Sequence, residues 1–189
     1  MFRLLTLEDV IKVPPDMYGS PVQESVRRLL EDKYEGMVFE DLGFVVCVVD
    51  FTFDHVGKIA PGEGDSYHRV TFRVLTFLPE VQEVMLGKVV EIEEYGGFVR
   101  IGPFEALLHV SSILDDYVDF NKEQATLVGR KTGRVLSVGD WIRLRVTAVS
   151  IGGAGGGDRV GVTTRQPFMG KEEWIAQELK KLSAGAPAQ

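Results

Sequence analysis

The sequence predicts an α+β N-terminal domain, one helix laid on an antiparallel sheet, followed by an all-β barrel of five short strands. Three observations carry this. Residues 1–80 hold one strongly amphipathic stretch of helical period among runs rich in Val and Phe. From Val84 onward, short alternating runs recur with turns between them. Glycines stand at the corners of those runs, where a sheet that closes on itself must bend sharply. The expected organisation is a first domain over 1–80, the barrel over 81–170, and a C-terminal helix and tail over 171–189.

Taken in order, "FRLLTLEDVIKV" reads as an opening strand and "PPDMYGS" as the turn-rich break after it. Ser20 is placed to cap a helix, with Pro21 at its first position and Gln23 completing a capping box; Val22, Val26, Leu29 and Leu30 form its apolar stripe. The sheet beneath it comes from "MVF", "LGFVVCVVDFTF" and "HRVTFRVLTFLP". Cys47, in the middle of that apolar run, is expected to be a buried and inert thiol; a single cysteine excludes a disulfide framework and points to a cytosolic setting. Between the last two strands lies the Gly/Pro loop "DHVGKIAPGEGD". No Gly-Lys-Ser/Thr follows and no helix starts there, so it reads as a tight turn or a docking tip rather than a phosphate cradle.

In the second half, "VMLGKVVEIEEYGGFVRIG" gives two antiparallel strands joined at a glycine corner, and "FEALLHVSSI", "VGDWIRLRVTAVS" and "DRVGVTTR" give three more. Along the fourth strand Ile142, Leu144, Val146 and Ala148 share one face and Arg143, Arg145 and Thr147 the other. Residues 113–135 form a polar insertion, to be folded as a short helix or left as a loop. The glycines of 152–157 suit a hairpin tip. "KEEWIAQELKKL" is an amphipathic helix presenting Trp174, Ile175, Leu179 and Leu182, expected to pack back onto a domain, and "SAGAPAQ" is an expected disordered tail.

The net charge of −7 argues at first against nucleic acid. Its distribution changes that: residues 1–80 carry 8 basic and 14 acidic side chains, whereas 81–170 carry 10 and 11. Lys122, Arg130, Lys131, Arg134, Arg143 and Arg145 form a basic stripe, or simply a solvated charged face. No run approaches the ~20 apolar residues of a membrane span, and the N-terminus meets acidic residues too early for a secretion signal. No membrane partner and a cytoplasmic location are expected.

Catalysis finds little support. His55, His68 and His109 are scattered and lack Cys or carboxylate neighbours at ligand spacing, so neither a metal nor another cofactor is expected. Asp115, Asp116 and Asp119 lie in a polar loop, where a solvated cluster is the ordinary outcome. Binding finds more support. Single strands are held by aromatic faces on which bases stack, beside cations that follow the phosphates. Tyr95 and Phe98 flank the glycine corner; Arg100 shares the face of Phe98, His109 can point outward, and Arg143, Arg145 and Arg159 come from the fourth and fifth strands. The alternative is that the two rings close the barrel end and the arginines solubilise it.

"GKVVEIEEYGGFVRIGPFEALLHVSSI", "VGDWIRLRVTAVS" and "RVGVTTR" together resemble, over 87–165, the RNA-binding barrel first described in ribosomal protein S1, an oligonucleotide/oligosaccharide-binding (OB) fold. The resemblance implies RNA contacts at Tyr95, Phe98, His109 and Arg159. It departs from the family at Ser150, where an Asp often closes the fourth strand, and in the glycine-lengthened hairpin that follows.

The opening "MFRLLTLEDVIKVPP", the capped helix, "GKIAPGEGDSYHRVTFRVLTFLP" and the barrel directly after it are similar, over nearly the whole chain, to a polymerase-subunit family. This is the E-prime family of archaeal RNA polymerase, counterpart of the seventh subunit of eukaryotic RNA polymerase II. The resemblance implies a non-catalytic stalk subunit of a DNA-directed nucleotidyltransferase. Such a subunit docks on the polymerase core by its N-terminal domain, pairs as a heterodimer with a smaller helical subunit, F, and binds emerging single-stranded RNA. It aids promoter opening, processivity and termination. The loop 55–65 is then the candidate core-docking tip, through Gly57, Lys58, Ile59, Pro61, Gly62 and Gly64. Two other classes stand beside this one: a freestanding RNA-binding adaptor of translation or RNA decay, which leaves residues 1–80 without a role, and a nuclease, which lacks an acid/base or metal constellation.

Overall fold

β1 (Phe2–Val13) alternates exposed and covered side chains along its length, the period-two signature of a strand with one face on a core. It belongs to a computed structural model of the protein that describes residues 1–122, 124–152 and 158–185. The chain divides into two units, Met1–Leu78 and Pro79–Gln189.

In the first unit, β1 is followed by α1 (Val22–Tyr34), β2 (Val38–Phe39), β3 (Gly43–Phe53), β4 (Lys58–Ile59) and β5 (Ser66–Phe77). The sheet runs β1-β5-β3-β2, antiparallel throughout, with β4 also pairing β5. Val26 and Leu30 of α1 are fully buried against Ile11, Val13, Val45, Val70, Phe72 and Val74, so the helix covers one face. Phe2, Leu4 and Val10 remain exposed on the strand positions between.

Three local features differ from expectation. The helix begins at Val22 with Pro21 as its N-cap and no side-chain cap; the Pro21 carbonyl accepts from the amides of Glu24 (2.9 Å) and Ser25 (3.2 Å). Ser20 instead donates its amide to Met17 O, ending the preceding turn one residue too early to cap α1. The loop after β3 contains the short strand β4, so it is a hairpin onto β5. Cys47 is half-buried rather than buried, because β3 shifts register between Val45 and Cys47 and again between Val48 and Asp50. Such bulges re-aim the side chains that a strict alternation would hide.

A polar clamp ties α1 to β1. The Asp9 carboxylate accepts from Lys33 Nζ and Tyr34 Oη, each at 2.6 Å.

The second unit is built from β6 (Val84–Glu93), β7 (Gly96–Ile101), β8 (Phe104–His109), β9 (Val118–Asn121), β10 (Thr126–Gly129), β11 (Val135–Ser137), β12 (Trp141–Ser150), β13 (Arg159–Thr163), β14 (Gly170–Lys171) and α2 (Glu172–Gly185). Strands β6, β7, β8, β13 and β12 close into the expected five-stranded barrel, in the order β13-β8-β7-β6-β12 and back to β13. Val99, Ile101, Ala106, Leu108, Ile142, Leu144, Val146 and Val160 fill it. The other barrel pairs are antiparallel, as the sequence predicts for the first two strands, but the closing pair β8–β13 is parallel, Val160 facing Ala106 and Val162 facing Leu108. Parallel pairing follows from the chain leaving β8 for the insertion and β12 before it returns.

That insertion is neither helix nor loop: β9, β10 and β11 form an antiparallel sheet of their own. Ala148 is exposed because a bulge between Val146 and Ala148 shifts the parity of β12. α2 buries Trp174 and Ile175 against the barrel unit, where Arg134 stacks over Trp174 at 5.3 Å and pairs with Glu178 at 2.9 Å. Leu179 and Leu182, expected on the same apolar side, are exposed. The helix runs through Gly185, into the stretch expected to be disordered; 186–189 and the glycine-rich 153–157 lie outside the described residues.

Burial pushes the Asp9 carboxyl up, but the hydrogen bonds from Lys33 and Tyr34 outweigh it and hold the group below its ordinary value. A depressed carboxyl contributes stability that is complete above the unfolded value, about 3.9, and is lost as pH falls through the folded one. Tyr34→Phe is expected to cost about 1 kcal/mol at pH 7. Urea unfolding should show that difference shrinking as the pH falls below the unfolded value and on through the lower folded one, because protonation removes the charge that Tyr34 bonds.

Candidate nucleic-acid interface

The turn "EYGGF" sets the outer face of the barrel. Gly96 sits at φ +151°, and a Cβ there would lie 2.3 Å from Leu108 O and 2.9 Å from His109 Cα. Only glycine permits that approach. With β7 and β8 drawn together, Gly96 faces His109, Phe98 faces Leu107 and Arg100 faces Glu105. Val99 and Ile101 turn into the core, so Phe98 and Arg100 stand outside.

Tyr95 and Phe98 meet edge to face, with centroids 6.2 Å apart and planes at 86°. Tyr95 is 50% exposed and Phe98 half-buried, leaving aromatic surface open to solvent. The amide of Val110 donates to the Tyr95 carbonyl at 2.9 Å, which fixes the corner to the end of β8. His109 is exposed beside them. Its Nδ1 accepts from the Ser111 amide (3.3 Å) and lies 2.8 Å from Ser111 Oγ. An amide only donates, so the imidazole proton resides on Nε2, where it can be offered outward.

Arg100 and Glu105 form an exposed pair at 3.0 Å across the strands. Pairs of this kind contribute about 0–1 kcal/mol, so the guanidinium is readily exchanged to another anion. Arg159 opens β13 opposite Ser150, one residue before Val160 pairs with Ala106, which puts it toward the Arg100–Glu105 end of the face.

The other two sequence-nominated arginines stand on β12, two strands round the barrel from β7. Arg143 faces Leu86 and Gly170 and borders a cleft with Trp141 and α2. Arg145 is half-buried, with Nη1 3.3 Å from Gln82 Oε1, and serves to hold the segment before β6. The stripe 122–145 is therefore not one track: Arg130 pairs with Asp119 and Arg134 clamps α2. Sequence reading missed Lys88 and Trp141. Register carries Arg100 on to Lys88 and Lys88 on to Trp141, all three exposed, and nothing in the local sequence of these residues announces the alignment.

In the N-terminal unit, the loop residues sit on the β4–β5 hairpin. Gly57 lies against the ring of buried His68, whose Nδ1 donates to Asp54 O at 2.8 Å. Gly62 takes φ +89° in the tip, and the Gly64 carbonyl accepts from Tyr18 Oη at 2.8 Å. Lys12 holds Asp65 at 2.7 Å. The hairpin base is thus fastened, while Lys58, Pro61 and above all Val56 (85%) and Ile59 (64%) are exposed. Among the described residues, no three His, Cys, Asp or Glu side chains converge on a common point, and no helix is long and apolar enough to cross a membrane.

Two family models match the chain. Residues 8–64 match the SHS2 domain found in the N terminus of Rpb7p/Rpc25p/MJ0397, and residues 78–152 match the S1 RNA binding domain. The chain is 34% identical over 180 residues to the DNA-directed RNA polymerase subunit Rpo7 of Saccharolobus shibatae, covering 95% of this chain and 100% of that one. It is 32% identical to the RNA polymerase III subunit rpc8 of Schizosaccharomyces pombe, covering 70% and 66%, and 24% identical to the RNA polymerase II subunit RPB7 of Saccharomyces cerevisiae, covering 77% and 86%. These matches define a subunit of multi-subunit RNA polymerase that joins an SHS2 domain to an S1 barrel. Within that class the chain belongs to the Rpo7 family of DNA-directed RNA polymerase subunits.

The close approach at Gly96 makes a paired prediction. Gly96→Ala is expected to destabilise the barrel by about 2–3 kcal/mol in urea unfolding. Gly97→Ala, whose Cβ would meet nothing nearer than 3.4 Å, should cost less than about 1 kcal/mol.

Proposed function

We propose that this chain is a non-catalytic stalk subunit of a cytoplasmic DNA-dependent RNA polymerase. Its N-terminal unit docks on the core through the β4–β5 hairpin, it pairs with a smaller helical subunit, F, and its barrel binds nascent single-stranded RNA, aiding promoter opening, processivity and termination. The observation that carries the RNA part is the cluster of Tyr95, Phe98 and His109 on the outer face of the barrel, with Arg100 and Arg159 toward its other end. Stacking on such rings tolerates any base, as a subunit that meets every transcript requires. Family membership and the fastened hairpin with its exposed Val56 and Ile59 support the docking part.

Fluorescence anisotropy with single-stranded RNA at two salt concentrations tests the first part. Tyr95→Ala/Phe98→Ala is expected to lose ~2–6 kcal/mol of binding while keeping its fold; unchanged affinity would mean that the rings only close the barrel. Ile59→Asp tests the second: it should release the subunit from the polymerase core in co-purification and leave RNA affinity intact, because the hairpin and the barrel face belong to different units.

A further inference from the structure

The barrel face does not end at His109. Ser111, bonded to the His109 ring, is one wall of a cleft of about 500 Å³ that continues to Tyr117, Lys131 and Arg165 over a floor including Leu114. Clefts of this size accommodate a small organic group.

The walls are fastened before any ligand arrives. Thr164 donates its amide to Ser112 O (2.9 Å) and its hydroxyl to Ile113 O (2.8 Å), which brings Arg165 beside the end of β8. Asp116 ties the other side together. It accepts from the amides of Lys131 (2.7 Å), Thr132 (2.9 Å) and Tyr117 (2.7 Å). Loss of solvent pushes its carboxyl up, and these bonds outweigh that push and hold the group below the ordinary range. Gly129 makes the tie possible, since a Cβ there would lie 2.5 Å from Thr132 Oγ1 and 3.0 Å from Asp116 Oδ2. The backbone of Tyr117 is pinned at both ends, its amide on Asp116 and its carbonyl accepting from Arg130 N at 2.8 Å, yet 74% of the residue is exposed.

We propose that this cleft is a second subsite for single-stranded RNA, in which a base stacks on Tyr117 while Lys131 and Arg165 meet the flanking phosphates. It rests on the reading of the Tyr95–Phe98–His109 face as an RNA platform and extends that path past Ser111 onto the β9–β11 insertion. An exposed ring on a fixed backbone is a stacking surface with little ordering cost. Two acids, Asp115 and Asp116, also line the cleft, and what each is bonded to offsets its charge toward a phosphate. Three amide dipoles face Asp116, and Asp115 stays beside Arg165 in an exposed, solvent-screened pair, so the guanidinium can meet a phosphate without leaving it.

The full chain, titrated by anisotropy with fluorescein-labelled mixed-sequence RNAs of about 5 and about 15 nucleotides, separates the two subsites, since OB folds cover ~4–16 nucleotides. Tyr117→Ala is expected to weaken the longer RNA about tenfold and leave the shorter one unchanged, and Tyr117→Phe to behave as wild type. Lys131→Gln should lower the salt slope for the longer RNA by about 0.7. Unchanged affinity of the longer RNA in Tyr117→Ala, with Tyr95→Ala/Phe98→Ala still weakening both lengths, would overturn the second subsite and leave the first standing. If the double variant weakened neither length, the platform itself would fail and the extension with it.

Discussion

The contact between Gly96 and the His109 backbone fixes most of what matters in the barrel unit. A residue with a Cβ at position 96 would hold β7 and β8 apart at the corner. With glycine there, one register follows, and that register decides which side chains share the outer face. Phe98 lies over Leu107, Tyr95 closes on Phe98, and His109 stands level with the corner. The same register sends Val99, Ala106 and Leu108 inward, so the apolar core and the outward aromatic cluster are two results of one pairing.

Around this face the chain repeatedly uses a satisfied polar group to hold a loop while leaving its neighbour free. Ser111 fixes one nitrogen of His109 and leaves the other as a donor. Asp116 gathers three amides and leaves the Tyr117 ring in solvent. Tyr18 and Lys12 fasten the β4–β5 hairpin and leave Val56 and Ile59 exposed. Ordering is completed in folding in each case, so less remains to be lost when a partner binds. That arrangement suits the proposed role, in which the hairpin and the barrel face each hold a partner.

The fold class was legible because periodicity reports directly on burial. The alternation of β1, the 3.6-residue stripe of α1 and the inward set Ile142, Leu144 and Val146 all follow from it. Expectations failed where an irregularity broke the period: the bulges of β3 and β12, which moved Cys47 and Ala148, and the turn that drew Ser20 away from α1. The insertion was opaque for another reason. Its three strands are short, and Asp116, which binds the loops together, does so through backbone amides that no side-chain pattern reveals. The clustering of Tyr95, Phe98 and His109 was readable because the glycine corner brings near neighbours together. Arg143 and Arg145 were grouped with them by charge and parity alone; their strand, β12, is separated from β7 by β6, a spacing that the sequence does not display.

On the proposed reading, RNA leaving an Rpo7-containing polymerase runs along the β7–β8 face. That reading is tested most directly by photocrosslinking nascent RNA carrying 4-thiouridine in a transcribing polymerase assembled with this chain, then mapping the modified peptides. Adducts are predicted in the segment holding Tyr95, Phe98 and His109, appearing once the transcript is long enough to reach the stalk. Adducts confined to other surfaces of the chain, or to other subunits alone, would contradict it.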